Sequence, residues 1–204
     1  MNTILAVGAH PDDIELGCGG ALIKHVVRGD TVVMLVVTNG EAGPGPTSER
    51  LAEQQRAAEL MGVTHLEFGN LPDGRVSNHE LELVHLIESA VCRYGVDMVY
   101  VHGTQDSHQD HRSIAVATWG AARHAKNILC YDSPSAVQFN PTVFIDITDT
   151  LEKKVAALEC HGSQVLHSSM ASAALVRVQA GYRGHQARTE AAEGFMPHRL
   201  HVSL

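Results

Sequence analysis

The feature that most restricts how this chain can fold is the regular alternation of short apolar runs with longer helical patterns. The runs are rich in β-branched residues, and those at 31–38 and 98–101 lack the polar alternation of a half-exposed strand. Strands that alternate with helices at this spacing are typical of a parallel sheet covered by helices on both faces. We therefore predict an α/β fold, a Rossmann-like and mostly parallel sheet flanked by helices, with the functional site at the C-terminal ends of the strands.

The same patterns predict the bounds of the elements. Strands are predicted from β-branched, apolar composition at 3–7, 31–38, 65–68, 98–101, 128–131 and 143–147. Helices are predicted from apolar spacing at 20–28, 48–61, 79–94, 110–125 and 150–160. Beyond residue 160 the pattern weakens, and 170–180 is compatible with a helix and 181–184 with a turn. We expect one domain over 1–204, with 160–204 as a less regular C-terminal extension available for subunit contacts.

The helix predicted at 48–61 separates its apolar residues from its charged ones. Leu51, Ala58 and Met61 fall on one face, and Glu53 and Arg56 fall elsewhere. This spacing predicts an apolar face against the sheet and charged residues towards solvent.

Composition and charge argue against several classes of protein. A net charge of −8 with scattered positive residues argues against a surface for nucleic acid or anionic membranes. The four cysteines share no short spacing, so free thiols in a reducing compartment are a simpler interpretation than disulfides or a thiolate zinc site. The N-terminus lacks the basic region of a signal peptide, and no apolar run approaches the roughly 18 residues of a membrane span. We expect a cytoplasmic protein.

A histidine and two aspartates follow the first predicted strand, in the order His10, Pro11, Asp12, Asp13. Proline fixes its own φ and disfavours helical geometry at the residue before it, so the chain turns sharply here. In such a turn, side chains three positions apart can converge, which would bring His10 and Asp13 together and leave Asp12 pointing elsewhere. Imidazole and carboxylate groups are ligands of catalytic zinc sites.

A second cluster follows the fourth predicted strand and contains His108, Asp110 and His111. The two histidines are three positions apart at the predicted start of a helix, where Asp110 would act as N-cap or as an acid of the first turn. Both clusters follow strands of one parallel sheet, so they are expected at the same edge of that sheet.

Two ligands from the first cluster and one from the second would form a metal site, and we assign His10, Asp13 and His111 to it. Three protein ligands leave one position open, which is typical of a catalytic rather than a structural zinc. Asp12 and His108 then remain beside the metal. A spare carboxylate and a spare imidazole are what amide hydrolysis needs as base and acid.

Each motif also has an ordinary structural interpretation. A lone His-Pro-Asp-Asp can be a turn with an N-cap aspartate, and a lone His-x-x-His at a helix start is more often solvated surface. The combination of both at strand ends favours a metal site. The glycines at 17–20 resemble a nucleotide-binding turn, but that fingerprint should begin at Gly8, and Thr38-Asn39 stands where the ribose-binding acid would lie. We interpret these glycines as allowing close packing of the first helix.

Six segments resemble, in the same order, the signatures of the LmbE-like (PIG-L) family of zinc-dependent de-N-acetylases. The resemblance covers most of the chain, and its first and fourth segments are the most specific. Gln109 stands where the family often has proline. The matching segments are AHPDD at 9–13 with ELGCGG at 15–20, TNGEAG at 38–43, LPDG at 71–74, DSHQDH at 106–111, HGSQ at 161–164 and AEGF at 192–195.

The resemblance implies the ligand set assigned above, with one Zn²⁺ per chain as cofactor; Fe²⁺ or Co²⁺ could also occupy such ligands. It implies that Asp12 is the general base. It further implies that His108, steadied by Asp110, stabilises the oxyanion and protonates the amine that leaves.

It also implies a small-molecule substrate, an N-acetylglucosamine-type sugar whose N-acetyl group is hydrolysed to acetate and a free amine. The resemblance implies that Arg50 binds the sugar, and Arg56 is a competing candidate for this role. A surface ion pair of Arg50 with Glu53 or Gln54 is the structural alternative. Members of the family often form trimers or hexamers, so a homo-oligomer is expected. The chain is short for the family, which leaves the remainder of the substrate open.

Three other functions are alternatives to this one. An amidase acting on a thiol conjugate or another N-acyl substrate would use the same metal site. A nucleotide-binding module without hydrolytic activity would suit the scaffold but not the displaced glycines. A metal-binding sensor without catalysis would give Asp12 and His108 no function.

Overall fold

The computed structural model describes residues 1–167 and 171–202, and within them the chain forms one seven-stranded sheet flanked by helices. The strands are β1 Thr3–Gly8, β2 Thr31–Thr38, β3 His65–Leu71, β4 Met98–His102, β5 Asn127–Tyr131, β6 Val143–Asp146 and β7 Ala192–Arg199. The helices are α1 Asp13–Val27, α2 Thr47–Met61, α3 Glu80–Tyr94, α4 Gln109–Ala121, α5 Leu151–Glu159, α6 Gly162–Val165 and α7 Ala173–Ala187. A short 3₁₀ helix, Val76–His79, precedes α3.

The strands follow the order β3-β2-β1-β4-β5-β7-β6. Strands β1 to β5 are parallel, whereas β7 runs antiparallel between β5 and β6. The chain builds outward from β1 to β3 and then returns to place β4 on the other side of β1. Such a reversal opens a crevice at the C-terminal ends of the two central strands, where open α/β sheets bind ligands. The predicted fold class is confirmed.

Strand β2 shows why its sequence lacks polar alternation. Its side chains at 33, 35 and 37 join an apolar core that includes residues of α3 and α4. Those at 32, 34 and 36 join a second core with residues of α1 and α2. Because successive side chains point to opposite faces of a sheet, a strand covered on both sides must be apolar at every position.

Two expectations about helices were wrong. Helix α1 begins at Asp13 rather than at residue 20, and it passes through a kink at Cys18, where φ is −144°. The turn expected at 181–184 lies inside α7. The helix expected at 170–180 corresponds to α7, although Met170 lies outside the described residues. Within the described ranges, no helix has the length and apolar character that crossing a bilayer requires.

Strand β7 was not predicted, although it joins the sheet between two other strands. Its sequence contains Glu193, Gly194 and Pro197, which are uncommon in strands. The Glu193 carboxylate is nevertheless buried, since Lys154 Nζ lies 2.5 Å from Oε1 and the backbone N–H groups of α1 donate to both of its oxygens. The segment after residue 160 therefore contributes two helices, α6 and α7, and a sheet strand to the fold.

Candidate metal centre

The candidate site lies where β1 and β4 end side by side. His10 and Asp13 follow β1, and His111 lies in the first turn of α4, after β4. One ligand atom of each of these residues lies within 4.8 Å of the other two, and the ring centroids of His10 and His111 are 5.4 Å apart. Folding thus brings together the two clusters that were expected at one edge of the sheet.

Asp13 occupies the middle of this cluster. Its Oδ2 accepts a hydrogen bond from the backbone N–H of His10 at 2.7 Å and lies 3.3 Å from His10 Nδ1 and 3.5 Å from His111 Nε2. Burial raises the pKa of Asp13, but the nearby His111 and His102 outweigh burial and hold that pKa well below its usual range. A buried carboxylate that stays charged is suited to hold a cation.

His111 is oriented through its other ring nitrogen. Nδ1 lies 2.9 Å from Asp106 Oδ2, and the same oxygen accepts a 2.5 Å hydrogen bond from Ser133. In the part of the chain that the structure describes, the buried Nε2 of His111 has no hydrogen-bond partner. A histidine that binds a metal usually donates its second N–H to a carboxylate in this manner.

This donor set fits a divalent cation. The unpartnered His111 Nε2 and the charged Asp13 carboxylate face the same space, and His10 adds a second imidazole. Nitrogen and carboxylate ligands suit zinc, and they also accept iron or cobalt.

Two other triples have ligand atoms within 4.8 Å of one another, namely His10–His108–Asp110 and His102–Asp106–His111. In the first, the aspartate carboxylate already accepts backbone N–H groups at 2.7 and 3.2 Å. In the second, Asp106 accepts three hydrogen bonds, and His102 Nε2 accepts the backbone N–H of Ala9 at 3.1 Å. Their donors are therefore less free for a cation than those of His10, Asp13 and His111.

Asp12 lies beside the cluster in an unusual backbone conformation. Its φ of 105° is in the left-handed region, which is uncommon for a residue other than glycine. The residue lines the cavity in front of the cluster. Burial, followed by the charge of Asp13, raises the pKa of Asp12 to about 7. A carboxylate with a pKa near neutrality suits a general base.

His108 and Asp110 are connected differently from the expectation. The Asp110 carboxylate accepts from the backbone N–H groups of Gly74 and Val76, whereas its own backbone N–H donates to His108 Nδ1 at 3.3 Å. Asp110 therefore steadies His108 through its backbone rather than through its carboxylate. Burial, together with the nearby His10 and His111, lowers the pKa of His108, which favours the neutral form of the ring.

Arg50 is buried rather than on the helix surface. Its guanidinium donates to the carbonyl oxygens of Gly40 and, at 3.1 Å, of Pro11. A side chain in place of the hydrogen at Gly40 would collide with this guanidinium, so the loop needs glycine there. Glu53 bonds to Ser163 instead, which removes the predicted ion pair with Arg50.

The three proposed ligands line one cavity of about 370 Å³, whereas Asp110 lies outside its lining. Asp12, His108 and Arg50 line it together with Asp73, and its size lies within the range of small-molecule sites. Arg56 is exposed and lies outside this lining.

Three residues near the site were given no role from the sequence, namely Asp73, His102 and Asp106. Asp73 Oδ1 lies 3.0 Å from His10 Nε2, and the ring of His102 stacks on His111 with centroids 3.8 Å apart. Burial, followed by the charge of His111, lowers the pKa of His102 to about 4. The position of His102 at a strand end could have indicated it, but the approach of Asp73 depends on the fold.

The chain is similar to several known proteins. The chain is 32% identical over 167 residues to the uncharacterized deacetylase YaiS of Escherichia coli, covering 78% of this chain and 90% of that one. It is 28% identical over 190 residues to the diacetylchitobiose deacetylase of Thermococcus kodakarensis, covering 80% and 70% respectively. The structure of the 4-carboxy-2-hydroxymuconate hydratase of Pseudomonas putida superimposes with a TM-score of 0.86 at 21% identity, covering 100% and 99% of the two chains.

The sequence profile of the PIG-L family, described as GlcNAc-PI de-N-acetylase, matches residues 5–122. This match spans β1 to α4 and so includes both clusters of the candidate metal centre. The family predicted from the six segments is confirmed, and the chain belongs to the PIG-L family of de-N-acetylases.

Proposed function

We propose that this protein is a metal-dependent de-N-acetylase that hydrolyses the N-acetyl group of an N-acetylglucosamine-type sugar or sugar conjugate, releasing acetate and a free amine. The observation that carries the proposal is the His10–Asp13–His111 cluster, with its unpartnered His111 Nε2, in a cavity that also contains Asp12 and His108. Membership of the PIG-L family supports the same reaction.

In the proposed mechanism, His10, Asp13 and His111 hold the metal. A bound cation of this kind polarises a carbonyl group and makes water more acidic. Asp12 lines the cavity beside the three ligands and accepts a proton from the attacking water. His108 keeps its proton on Nε2, because Nδ1 accepts the backbone N–H of Asp110. That Nε2–H can donate a hydrogen bond to the developing oxyanion. The proton that Asp12 has taken from water then passes from its carboxyl group to the departing amine.

Arg50 has two tasks in this proposal. It joins the loop at Gly40 to Pro11, which fixes one wall of the cavity. Its guanidinium also lines the cavity, where it can meet a sugar hydroxyl. Arg56 is not proposed for this task, because its side chain is exposed and outside the lining.

The function is tested by measuring acetate release from a small panel of N-acetyl sugars and conjugates, with N-acyl and thiol-conjugate amides as the alternative substrates. Release from the sugars alone would support the proposal, and release from the other amides alone would favour the amidase. Because the same fold also occurs in a hydratase, loss of substrate without acetate would indicate different chemistry. Adding back Zn²⁺, Fe²⁺ or Co²⁺ after chelation identifies the active metal.

The general base is tested by Asp12→Asn, which keeps the size of the side chain but removes its proton acceptor. We expect kcat to fall by about 10²–10⁴-fold, because general-base catalysis contributes about that much. The metal content measured by elemental analysis should stay at the wild-type level. Glu59→Gln, at an exposed position of α2, serves as control, and undiminished kcat in the Asp12 variant would remove this residue from the mechanism.

We further propose that the chain forms a homo-oligomer, a trimer or a hexamer, in the cytoplasm. Three large apolar side chains on one face of α7, Leu175, Val178 and Tyr182, are each more than half exposed at 51%, 69% and 59%. Such a face is typical of contact with another protein, here a second copy of the chain.

The four cysteines are free, which supports a reducing compartment such as the cytoplasm. Light scattering of the purified protein tests the oligomer, and a monomer at all concentrations would overturn it.

A further inference from the structure

Helix α2 buries polar side chains on the face that it turns towards the site. Arg50, Glu53 and Gln54 are 3%, 2% and 0% exposed. Each bonds to a different part of the chain: Arg50 to two loop carbonyls, Glu53 to Ser163, and Gln54 to the segment that begins α1. Buried polar groups are costly unless they are bonded, so this face indicates a requirement for fixed geometry.

The Gln54 amide joins the first cluster, at Asp12, to Glu15. Its Oε1 accepts the backbone N–H of Asp12 at 3.3 Å, and its Nε2 donates to Glu15 Oε1 at 2.7 Å. A backbone N–H can only donate and a carboxylate can only accept, so the orientation of the amide is set by its two partners.

Glu15 is itself held in place. Its side chain is fully buried, and Oε1 lies 3.6 Å from Nε2 of the equally buried His161. A continuous set of buried polar contacts therefore runs from His161 through Glu15 and Gln54 to the backbone of Asp12. Asp12 is the residue at the end of this path with a left-handed φ of 105°.

A left-handed conformation of a residue other than glycine persists only where its surroundings enforce it. The Asp12 N–H would point elsewhere in a relaxed, extended or helical backbone, and the direction of its carboxylate would change with it. Gln54 is the side chain that bonds to this N–H.

We propose that Gln54 is a positioning residue for the reaction: it holds the Asp12 backbone in the left-handed conformation that directs the Asp12 carboxylate into the cavity. The inference rests on the proposed role of Asp12 as general base. Gln54 itself lies outside the cavity lining and is not proposed to touch substrate.

The first test is Gln54→Met, which preserves the length of the side chain and removes both hydrogen bonds. We expect kcat to fall by about 10–10²-fold, as small misplacements of a reacting group do, while KM and metal content stay near wild type. Hydrogen exchange of the Asp12 amide, measured in metal-free protein, should become faster because its acceptor is lost. Gln55→Met, at the exposed neighbouring position, is the matched control and should change neither quantity.

A second test exchanges the two partners. Gln54→Glu alone places two carboxylates against each other and should lower kcat further. In the double variant Glu15→Gln with Gln54→Glu, the Asp12 N–H still donates to residue 54, and donor and acceptor are exchanged only in the bond between positions 15 and 54. Both hydrogen bonds are thus restored with unchanged total charge, so kcat and slow amide exchange should return towards wild type. This variant also covers the case in which Gln54→Met fails to fold.

A Gln54→Met variant with lower thermal stability but wild-type kcat and unchanged Asp12 exchange would overturn the inference. So would a double variant that regains stability without regaining kcat. The two proposals remain distinguishable: wild-type protein without acetate release contradicts the proposed function, whereas the Asp12 amide still reports whether Gln54 holds that backbone.

Discussion

Two histidine–aspartate pairs lie at opposite ends of the same sheet. His25 and Asp30 lie before β2, at the N-terminal ends of the strands, and Asp106 and His111 lie after β4, at the C-terminal ends. In each pair the histidine and the aspartate are five positions apart in sequence, and the Nδ1–Oδ2 distances are 2.8 and 2.9 Å. The contact between the histidine and the aspartate therefore has nearly the same length in the two pairs.

The pairs differ at the second ring nitrogen. His25 Nε2 lies 3.0 Å from the hydroxyl of Tyr100, which bonds it fully. Among the described residues, His111 Nε2 has no hydrogen-bond partner and faces Asp13. A histidine bonded at both nitrogens stabilises the fold, whereas a free, buried nitrogen that faces a charged carboxylate can bind a metal ion.

The largest expected difference concerns the histidines themselves. His111→Ala should abolish stoichiometric metal binding and acetate release, because it removes one of three proposed ligands. His25→Ala should retain metal and activity but lower the free energy of unfolding by about 1–3 kcal/mol, since Asp30 and Tyr100 lose a buried partner. Elemental analysis and urea unfolding measure the two effects. Full metal content in the His111 variant would contradict the ligand assignment.

A smaller difference is expected for the aspartates. Asp106→Asn should weaken metal affinity by about 10–100-fold, as the loss of a carboxylate behind a ligating histidine does. Asp30→Asn makes the same chemical change at the other end of the sheet and should leave the affinity unchanged. Competition with a chelator of known affinity measures both, and equal effects in the two variants would remove the distinction between the pairs.

The smallest expected effect is a pH dependence of stability at His25. Burial lowers the pKa of His25 despite the bond to Asp30, so the unfolded chain, with a pKa of about 6.5, takes up the proton more readily. The stabilisation is therefore present above about pH 6.5 and is lost as pH falls through the lower pKa of the folded protein. Burial raises the pKa of Asp30, but the bonds from His25 and Asn2 outweigh it and lower that pKa, which adds a further loss in stronger acid.

Urea unfolding of wild type and His25→Gln, both with a chelator present, checks this dependence. The wild-type advantage should be larger at pH 7.5 than at pH 5, because glutamine does not titrate in this range. A constant difference between the two proteins would show that His25 does not titrate on unfolding.

The α/β architecture and the two clusters could be predicted because they depend on local chemistry. Strand β2 has an unbroken apolar run, which only a strand covered on both faces needs, and its predicted bounds are those observed. The turn at Pro11 and the helix start beside Asp110, in the first turn of α4, likewise depend on neighbouring residues. Parallel connectivity then places the ends of β1 and β4 at one edge.

Other features could not be predicted, because their partners are distant in sequence. Strand β7 contains Glu193, which its local sequence predicts to be exposed, but the side chain is buried next to Lys154. Glu53 was expected outside the apolar face of α2, yet it is buried against Ser163, 110 residues further along the chain.

The amino-acid sequence alone determined six of the seven strands, the residues that cluster at the ends of β1 and β4, and the family that the chain resembles, since each of these follows from neighbouring side chains and their periodicity. Only the tertiary structure decided which histidine is saturated and which is left with a free nitrogen. The partner that saturates His25 comes from Tyr100, 75 residues away. No spacing rule contains that contact, because packing of the whole sheet brings the two side chains together.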